Sequence, residues 1–464
     1  MRRLAFAFFV ALACAVALPS IGAPSIACAD EEEQTPEVHP RHRIARRQVP
    51  DYDGRPDAPR PIEDVVLDLP RVVLFPFYLL VEYVLRQPIG YLMTTAEREQ
   101  WDVFRYLPIA DEPLPWGIIP TAFIDFGFIP SVGVYLWFDH AFVEDNHLSA
   151  QIGFGGPDWL RGTLVDRFPV ARDSVIELKV DGWQRPDYLF MGLGPRARPD
   201  RVTRYGRRNV DGLAELRVRP FRSSQIRVVA GVSANELYET RANEEDEESL
   251  GQGVANGWFP DYPPGFLTGY VAYFQRLELA LDTRESAPEP TGGVRVEVHG
   301  ELGFDVNASQ ARRWLLWGGA LGGYVDVNGG RTLGAWGTAE LATPMGTDGV
   351  PFTELADLGA MGRMPGFRNG WVVGESALAF GVDYAFPVAP WLDGFVIVSC
   401  GNAFGRHFDG LDADLLRMSY AIGLRAGNPD QPFVVQAGMA TASFDDGGGP
   451  QVFRLTFGSQ PGGL

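Results

Sequence analysis

Several segments of this chain set a charged side chain on every second residue and an aliphatic one between. Ile176-Glu177-Leu178-Lys179-Val180-Asp181, Ala214-Glu215-Leu216-Arg217-Val218-Arg219 and Val294-Arg295-Val296-Glu297-Val298-His299 are three such runs. Successive side chains of a strand point to opposite faces, so each run has one apolar and one charged face. An open sheet in water would satisfy one such strand. The pattern recurs from about residue 120 to the C-terminus with long polar loops between, which suits a barrel in lipid, charged inside and aliphatic outside.

About sixteen strand candidates of ~8 to 12 residues follow from Pro120 onward, the length that spans a thin membrane when tilted. They begin near 121, 130, 147, 159, 173, 208, 224, 269, 292, 315, 331, 372, 392, 414, 432 and 450. An even number returns both ends of the barrel to one side. Long connections fall at 183–207, 238–268 and 345–371, whereas 220–224 and 328–331 are tight turns, the asymmetry of an outer-membrane barrel. The expected fold is all-β: an antiparallel transmembrane β-barrel over 116–464 with a short helical segment before it. Gly318, Gly319, Gly322, Gly323, Gly334 and Gly337 sit within strands and would permit bending and close approach of something inside the lumen. Trp317, Trp371, Trp391, Tyr270 and Tyr273 lie near strand ends, where amphipathic rings suit the membrane–water boundary.

The first residues supply a compartment for such a barrel. Arg2 and Arg3 precede an apolar stretch from Leu4 to Leu18, and Ala27-Cys28-Ala29 has the small-x-small form of a signal-peptidase site. A signal peptide over 1–29 and an outer-membrane location in a Gram-negative bacterium are therefore expected. The alternative, in which Cys28 is the lipid-bearing first residue of a lipoprotein, has Ser25 where such sites usually place Leu. Cleavage near Ala29 would leave Cys400 as the one remaining thiol of three, with no internal disulfide. Residues 30–60 are acidic, then basic, and proline-rich, a leader that buries no core. Over 61–115, Val65, Val66, Leu69, Val72, Val73, Leu80, Tyr83 and Val84 recur at helical spacing, interrupted by Pro70, Pro76 and Pro88. Two readings remain for these periplasmic helices: a cap against the barrel end, or an interfacial helix on the inner leaflet.

Net charge and motif content narrow the function. A formal charge of -19 argues against nucleic acid as a partner. Glu244-Glu245-Asp246-Glu247-Glu248 reads as a solvated loop tip, without the glycine-punctuated spacing of a cation loop. His39, His42, His140, His147, His299 and His407 form no ligand cluster, and no G-x-S-x-G elbow appears. Gly192-Leu193-Gly194-Pro195 follows no βαβ unit, as a phosphate loop would require. No enzymatic activity, metal or cofactor is expected, although a Ser-His-Asp triad assembled from separate strands would leave no linear signature.

Three stretches carry a family resemblance. The first is Leu281-Asp282-Thr283-Arg284 with Pro290 and Gly292-Gly293; the second runs from Pro351-Phe352-Thr353-Glu354-Leu355 through Leu358-Gly359 to Met364-Pro365-Gly366-Phe367; the third is Tyr384-Ala385-Phe386-Pro387 with Gly401-Asn402-Ala403-Phe404-Gly405. In this order they resemble the BamA/TamA outer-membrane family, also called bacterial surface antigens, and Met191 to Tyr205 resembles its G-x-G…Y loop. The resemblance implies that the 345–371 loop folds back into the lumen, with Arg363, Gly366, Phe367 and Arg368 at its tip. Asp282, Arg284 and Gly292 mark a rim hairpin, either held by a charge pair or simply solvated.

The chain departs from the family pattern at Pro365, where the family has the arginine of R-G-F, and at Ser399, where it has the aspartate of D-x-G. Loss of both members of a buried pair is nearly neutral, whereas loss of one strands a charge at roughly 3 to 5 kcal/mol. Arg363 or Arg368 are the candidate replacements, with Glu375 or Asp383 as partners and Ser399 at the vacated position. Family members carry periplasmic POTRA domains, and residues 30–115 show no pattern that builds one; the chain also runs beyond its last alternating strand, 452–457, to Leu464 rather than ending at an aromatic. The implied function is insertion of outer-membrane proteins or translocation of surface components through a weak seam between first and last strands. Its partners would be outer-membrane lipid, client outer-membrane proteins or a periplasmic factor. The alternative is a structural or passive-pore barrel that kept the fold and lost that role.

Overall fold

The computed structural model describes residues 115–459 apart from 126, 172, 222–223, 241–247, 285–291, 329, 360–362, 390–391 and 427–432, together with Tyr83 and Tyr91. The expected signal peptide, the expected leader and almost all of the expected helical segment lie outside the described residues, as do Trp391 and residues 244–247 of the acidic run.

Sixteen antiparallel strands close into a barrel: β1 (Trp116–Asp125), β2 (Ser131–Asp139), β3 (His147–Gly156), β4 (Trp159–Ala171), β5 (Ser174–Phe190), β6 (Thr203–Phe221), β7 (Ser224–Glu239), β8 (Tyr270–Asp282), β9 (Gly293–Asp305), β10 (Arg313–Asn328), β11 (Arg331–Pro344), β12 (Ser376–Ala389), β13 (Leu392–Phe404), β14 (Arg417–Ala426), β15 (Phe433–Ser443) and β16 (Pro450–Ser459). Each pairs with its neighbours in sequence, and β1 pairs with β16 to complete the ring. Closure is what a sheet in hydrocarbon requires, because an open edge would leave a row of unpaired backbone groups with no water to satisfy them.

The alternation resolves as the pattern dictates. On β9, Val294, Val296 and Val298 face outward and are exposed, while Arg295, Glu297 and Glu301 face the lumen and form ion pairs there. On β8, Leu277, Leu279 and Leu281 are exposed outside, and Arg276, Glu278 and Asp282 point in. Inside, Arg227 bridges Glu215 at 2.8 Å and Glu278 at 3.1 Å, so the wall charges of β6, β7 and β8 interlock. Buried arginine is suited to this work, since its planar fork can satisfy two carboxylates at once.

Connections differ by side. The short connections β4–β5, β6–β7, β10–β11 and β12–β13 leave the end of the barrel where β1 begins and β16 ends, and the long connections β5–β6, β7–β8, β11–β12 and β13–β14 leave the other. The expected loop 183–207 contracts to 191–202, because β5 and β6 continue pairing as far as Phe190 and Thr203. A bulge between Arg185 and Tyr188 and side-chain bonds such as Trp183 to Asn209 (2.6 Å) carry this extension as a polar ladder rising past the aliphatic belt. Strand length therefore varies around the ring, from 19 residues in β6 to 9 in β2.

Two of the expected boundary aromatics are elsewhere. Trp317 and Tyr273 face outward, but Trp371 is 5% exposed and Tyr270 4% exposed, both packed inside the barrel. Proximity to a strand end does not fix which face a ring occupies; here both rings serve loops folded inward. The strand glycines make room for Tyr324, whose ring would collide with a Cβ at Gly334 and crowd one at Gly322, and this ring in turn carries Arg284 at 4.6 Å.

An arginine at Val298, in the middle of the outward aliphatic row, is expected to cost ~2–4 kcal/mol of stability in lipid, read as a lower urea midpoint for unfolding in vesicles.

Candidate functional site: the lumen loop and the barrel seam

The 345–375 segment turns inward, as the family resemblance implied. Its mouth is tied to neighbouring loops, the Met345 N–H donating to Arg313 O (2.7 Å) and the Phe352 N–H to Pro264 O (3.0 Å). Below, Ala356–Asp357 pairs with Val373–Gly374 as a short two-stranded stem. The Asp357 carboxylate closes the stem from within, accepting the N–H groups of Gly359 (2.9 Å) and Gly370 (2.6 Å). Gly370 has φ +83, and a Cβ there would lie 2.3 Å from Leu189 O, so only glycine fits.

The tip is the most enclosed part of the molecule. Met364 and Phe367 are 0% exposed and join Leu189, Met191, Leu358 and Trp371 in an apolar core inside the barrel. Gly366 lies against the wall at β15: a Cβ on it would meet Met439 O at 2.3 Å. Its N–H donates to Ser419 Oγ on β14 at 2.8 Å. A second apolar cluster includes Phe190, Tyr205, Leu250, Phe259, Phe266 and Phe352. The 191–202 loop sends Met191 and Ala197 into the first, its carbonyls held by Asn402 at Pro195 O (3.1 Å) and Arg417 at Ala197 O (2.6 Å).

Among the described residues, the ladder where β1 meets β16 holds three pairs. Register pairs join Phe123 to Gly458, Ile124 to Phe457 and Asp125 to Thr456, whereas β1 and β2 pair continuously from Trp116–Phe138 to Phe123–Ser131. Behind those three pairs, in the lumen, Arg454 of β16 grips Asp125 of β1, with Nη2 at 2.8 Å and Nε at 3.1 Å from its oxygens. The remaining arm of the guanidinium, Nη1, donates to Phe367 O at 2.7 Å and lies 3.5 Å from Pro365 O. Both side chains are buried, 6% and 4% exposed. One arginine thus touches the first strand, the last strand and the loop tip.

The residues named from sequence fall as follows. Gly366 and Phe367 are at the buried tip. Arg363 lies 3.5 Å from Glu297 and stacks over Trp336 at 5.2 Å, and Arg368 stacks over Phe128 of the β1–β2 turn at 5.8 Å. Glu375 is 3.5 Å from Arg406 rather than beside either loop arginine. Asp383 is on the lumen face of β12, its Oδ1 beside Gly334. Ser399 is 1% exposed and stands in register opposite Ser419, next to the serine that takes the Gly366 N–H. Asp282 is 0% exposed, held by Arg284 at 2.6 Å and Arg295 at 3.3 Å; Gly292 ends the connection to β9. Sequence reading did not single out Asp125, Arg454, Ser419 or Glu297. Arg454 is the one charge in the alternating run 452–457, which marked it as inward, but its partner is 329 residues away.

No protein-family model matches the chain, and no curated protein matches it. Among solved structures, the barrel is similar to BamA from Haemophilus ducreyi lacking POTRA domains 1-3, at TM-score 0.51 and 16% identity over 75% of this chain and 70% of that one. The fold is BamA-like. CdiB from Escherichia coli (TM-score 0.48, 11% identity) and CdiB from Acinetobacter baumannii (0.47, 12%) align over 75% of this chain, which spans 64% and 60% of those proteins.

Glu354, in the turn Phe352–Glu354 of the lumen loop, accepts a hydrogen bond from the Tyr270 hydroxyl, which also contacts Thr353 Oγ1 at 2.6 Å. Burial pushes its carboxyl up to about 7, a rise only partly offset by the charge of Arg207. A folded-state value above the unfolded one means that docking is fully supported at acid pH and weakens as pH climbs through about 7. Proteolysis of the 345–375 loop is therefore expected to increase between pH 5 and 8 and to become independent of pH in Glu354→Gln.

Proposed function

We propose that this chain is an outer-membrane barrel of the BamA/TamA kind that promotes insertion of outer-membrane proteins, or translocation of surface components, by parting β1 from β16. The observation that carries this reading is the β1–β16 seam, which shows three pairs among the described residues and is pinned from the lumen by Arg454 and Asp125. First and last strands meet there with no turn between them, so this junction can part without breaking a connection and free the β1 edge. Such an edge can template a strand of a client chain.

The runner-up, a structural or passive-pore barrel, is favoured by one observation: the family's arginine and aspartate are replaced by Pro365 and Ser399. Against an open conduit stands the apolar filling, in which Met364 and Phe367 are 0% exposed and Leu358 1% exposed inside the barrel. The inserted loop keeps a hold on the wall through Ser419 and Arg454 in place of the missing pair.

Reconstitution of the purified chain in liposomes separates the two readings. The expected result is faster folding of a second barrel protein into those liposomes, abolished when a Phe123→Cys, Gly458→Cys disulfide closes the seam, with little ion conductance. Conductance without any acceleration would overturn the insertion reading.

A further inference from the structure

Arg454 hydrogen-bonds the first strand and the loop tip at once, beside the apolar contacts that Phe128 and Val452 make with the same core. A guanidinium has five N–H donors in one rigid plane, and this one spends Nε and Nη2 on Asp125 and Nη1 on the Phe367 carbonyl. All three groups are removed from water. If the loop tip leaves, Nη1 loses its buried acceptor and the plane of the guanidinium is no longer fixed against Asp125. If the seam parts, Asp125 goes with β1, and the orientation that serves Phe367 O is lost. A donor stranded in the interior bears its full desolvation cost, so each event makes the other easier.

We propose that Arg454 couples the seam to the lumen loop as one lock, in which docking of the 363–368 tip favours the closed β1–β16 ladder and withdrawal of the tip favours its opening. By linkage the effect runs both ways: a strand wedged into the seam would release the loop by the same factor. Two further holds on the tip, Gly366 against Met439 and its N–H on Ser419, lie on β15 and β14 and leave Asp125 and Arg454 untouched. The loop can therefore be loosened without altering the seam residues. The coupling concerns the barrel alone and stands whether or not the chain inserts clients.

Two readouts on the full chain in liposomes test it, in a background lacking Cys14, Cys28 and Cys400. Spin labels at the outward positions Ile124 on β1 and Leu455 on β16, 39% and 44% exposed and beside the paired residues, report seam width. Tryptic cleavage after Arg363 and Arg368 reports loop release, and heat-modifiable migration confirms folding. In Gly366→Ala the new methyl group collides with the Met439 carbonyl and forces the tip off the wall. This variant, with Ser419→Ala added to complete the release, is expected to raise both cleavage and the wide-distance population by about fivefold or more. Asp125→Asn, which weakens the seam only, is expected to raise cleavage of the loop. The Phe123→Cys, Gly458→Cys disulfide is expected to lower it. A freed loop with an unchanged label distance, or a weakened or locked seam with unchanged cleavage, overturns the proposal.

Discussion

Backbone groups in hydrocarbon must find partners within the protein, and the whole architecture follows from how this barrel meets that demand. Fifteen junctions meet it by hairpin pairing along the strands. The sixteenth, between β1 and β16, shows three pairs among the described residues and is reinforced from the lumen by a buried ion pair. Removing one partner of such a pair costs about 3–5 kcal/mol, more than a hydrogen bond on an ordinary strand contributes. Closure of the ring thus draws on one arginine and one aspartate as well as on its ladder.

The same pair explains how the loop stays docked without the family's arginine. A carbonyl is the weaker acceptor, but it belongs to the backbone and survives any change of side chain, so Pro365 is tolerated at a position where a charge was expected. Shape supplies the rest. Gly366 fits because the wall at Met439 leaves no volume for a Cβ, and Phe367 is sealed beneath Trp371 and Leu358. Apolar burial holds the tip in place, and the Ser419 and Arg454 bonds set its register.

Alternation made the barrel legible. The starts expected at 147, 159, 224, 331, 392 and 450 coincide with observed strands, and most others fall within a few residues, because a period of two with lipid on one side admits no slippage. Where polar residues stood on both faces, as in Gln184–Tyr188 and Arg204–Arg208, the period vanished and the strands ran on past their expected ends. The loop tip was legible through its motif. Its anchors were not, since Asp125 and Arg454 meet only when the ring closes and nothing local to either residue encodes that. Loop arginines likewise chose partners by lumen geometry, Arg363 forming its ion pair with Glu297 on β9 while the nearer-in-sequence Glu375 pairs with Arg406.

The unequal strands leave one more mark on the molecule. With β5, β6 and β7 at 16 to 19 residues and β1, β2, β3 and β16 at 9 to 10, the outer mouth slopes, high over one arc and low over the arc that holds the junction of chain ends. Bulky objects arriving from outside, an antibody or a phage fibre, meet a parapet on the high side. That parapet leans across the low lip: Asp187 accepts the Ile129 N–H (2.5 Å), Arg204 donates to Gly127 O (2.8 Å) and Arg196 lies 3.8 Å from Asp445, so whatever seeks the joint from this side meets the β5–β6 extension first.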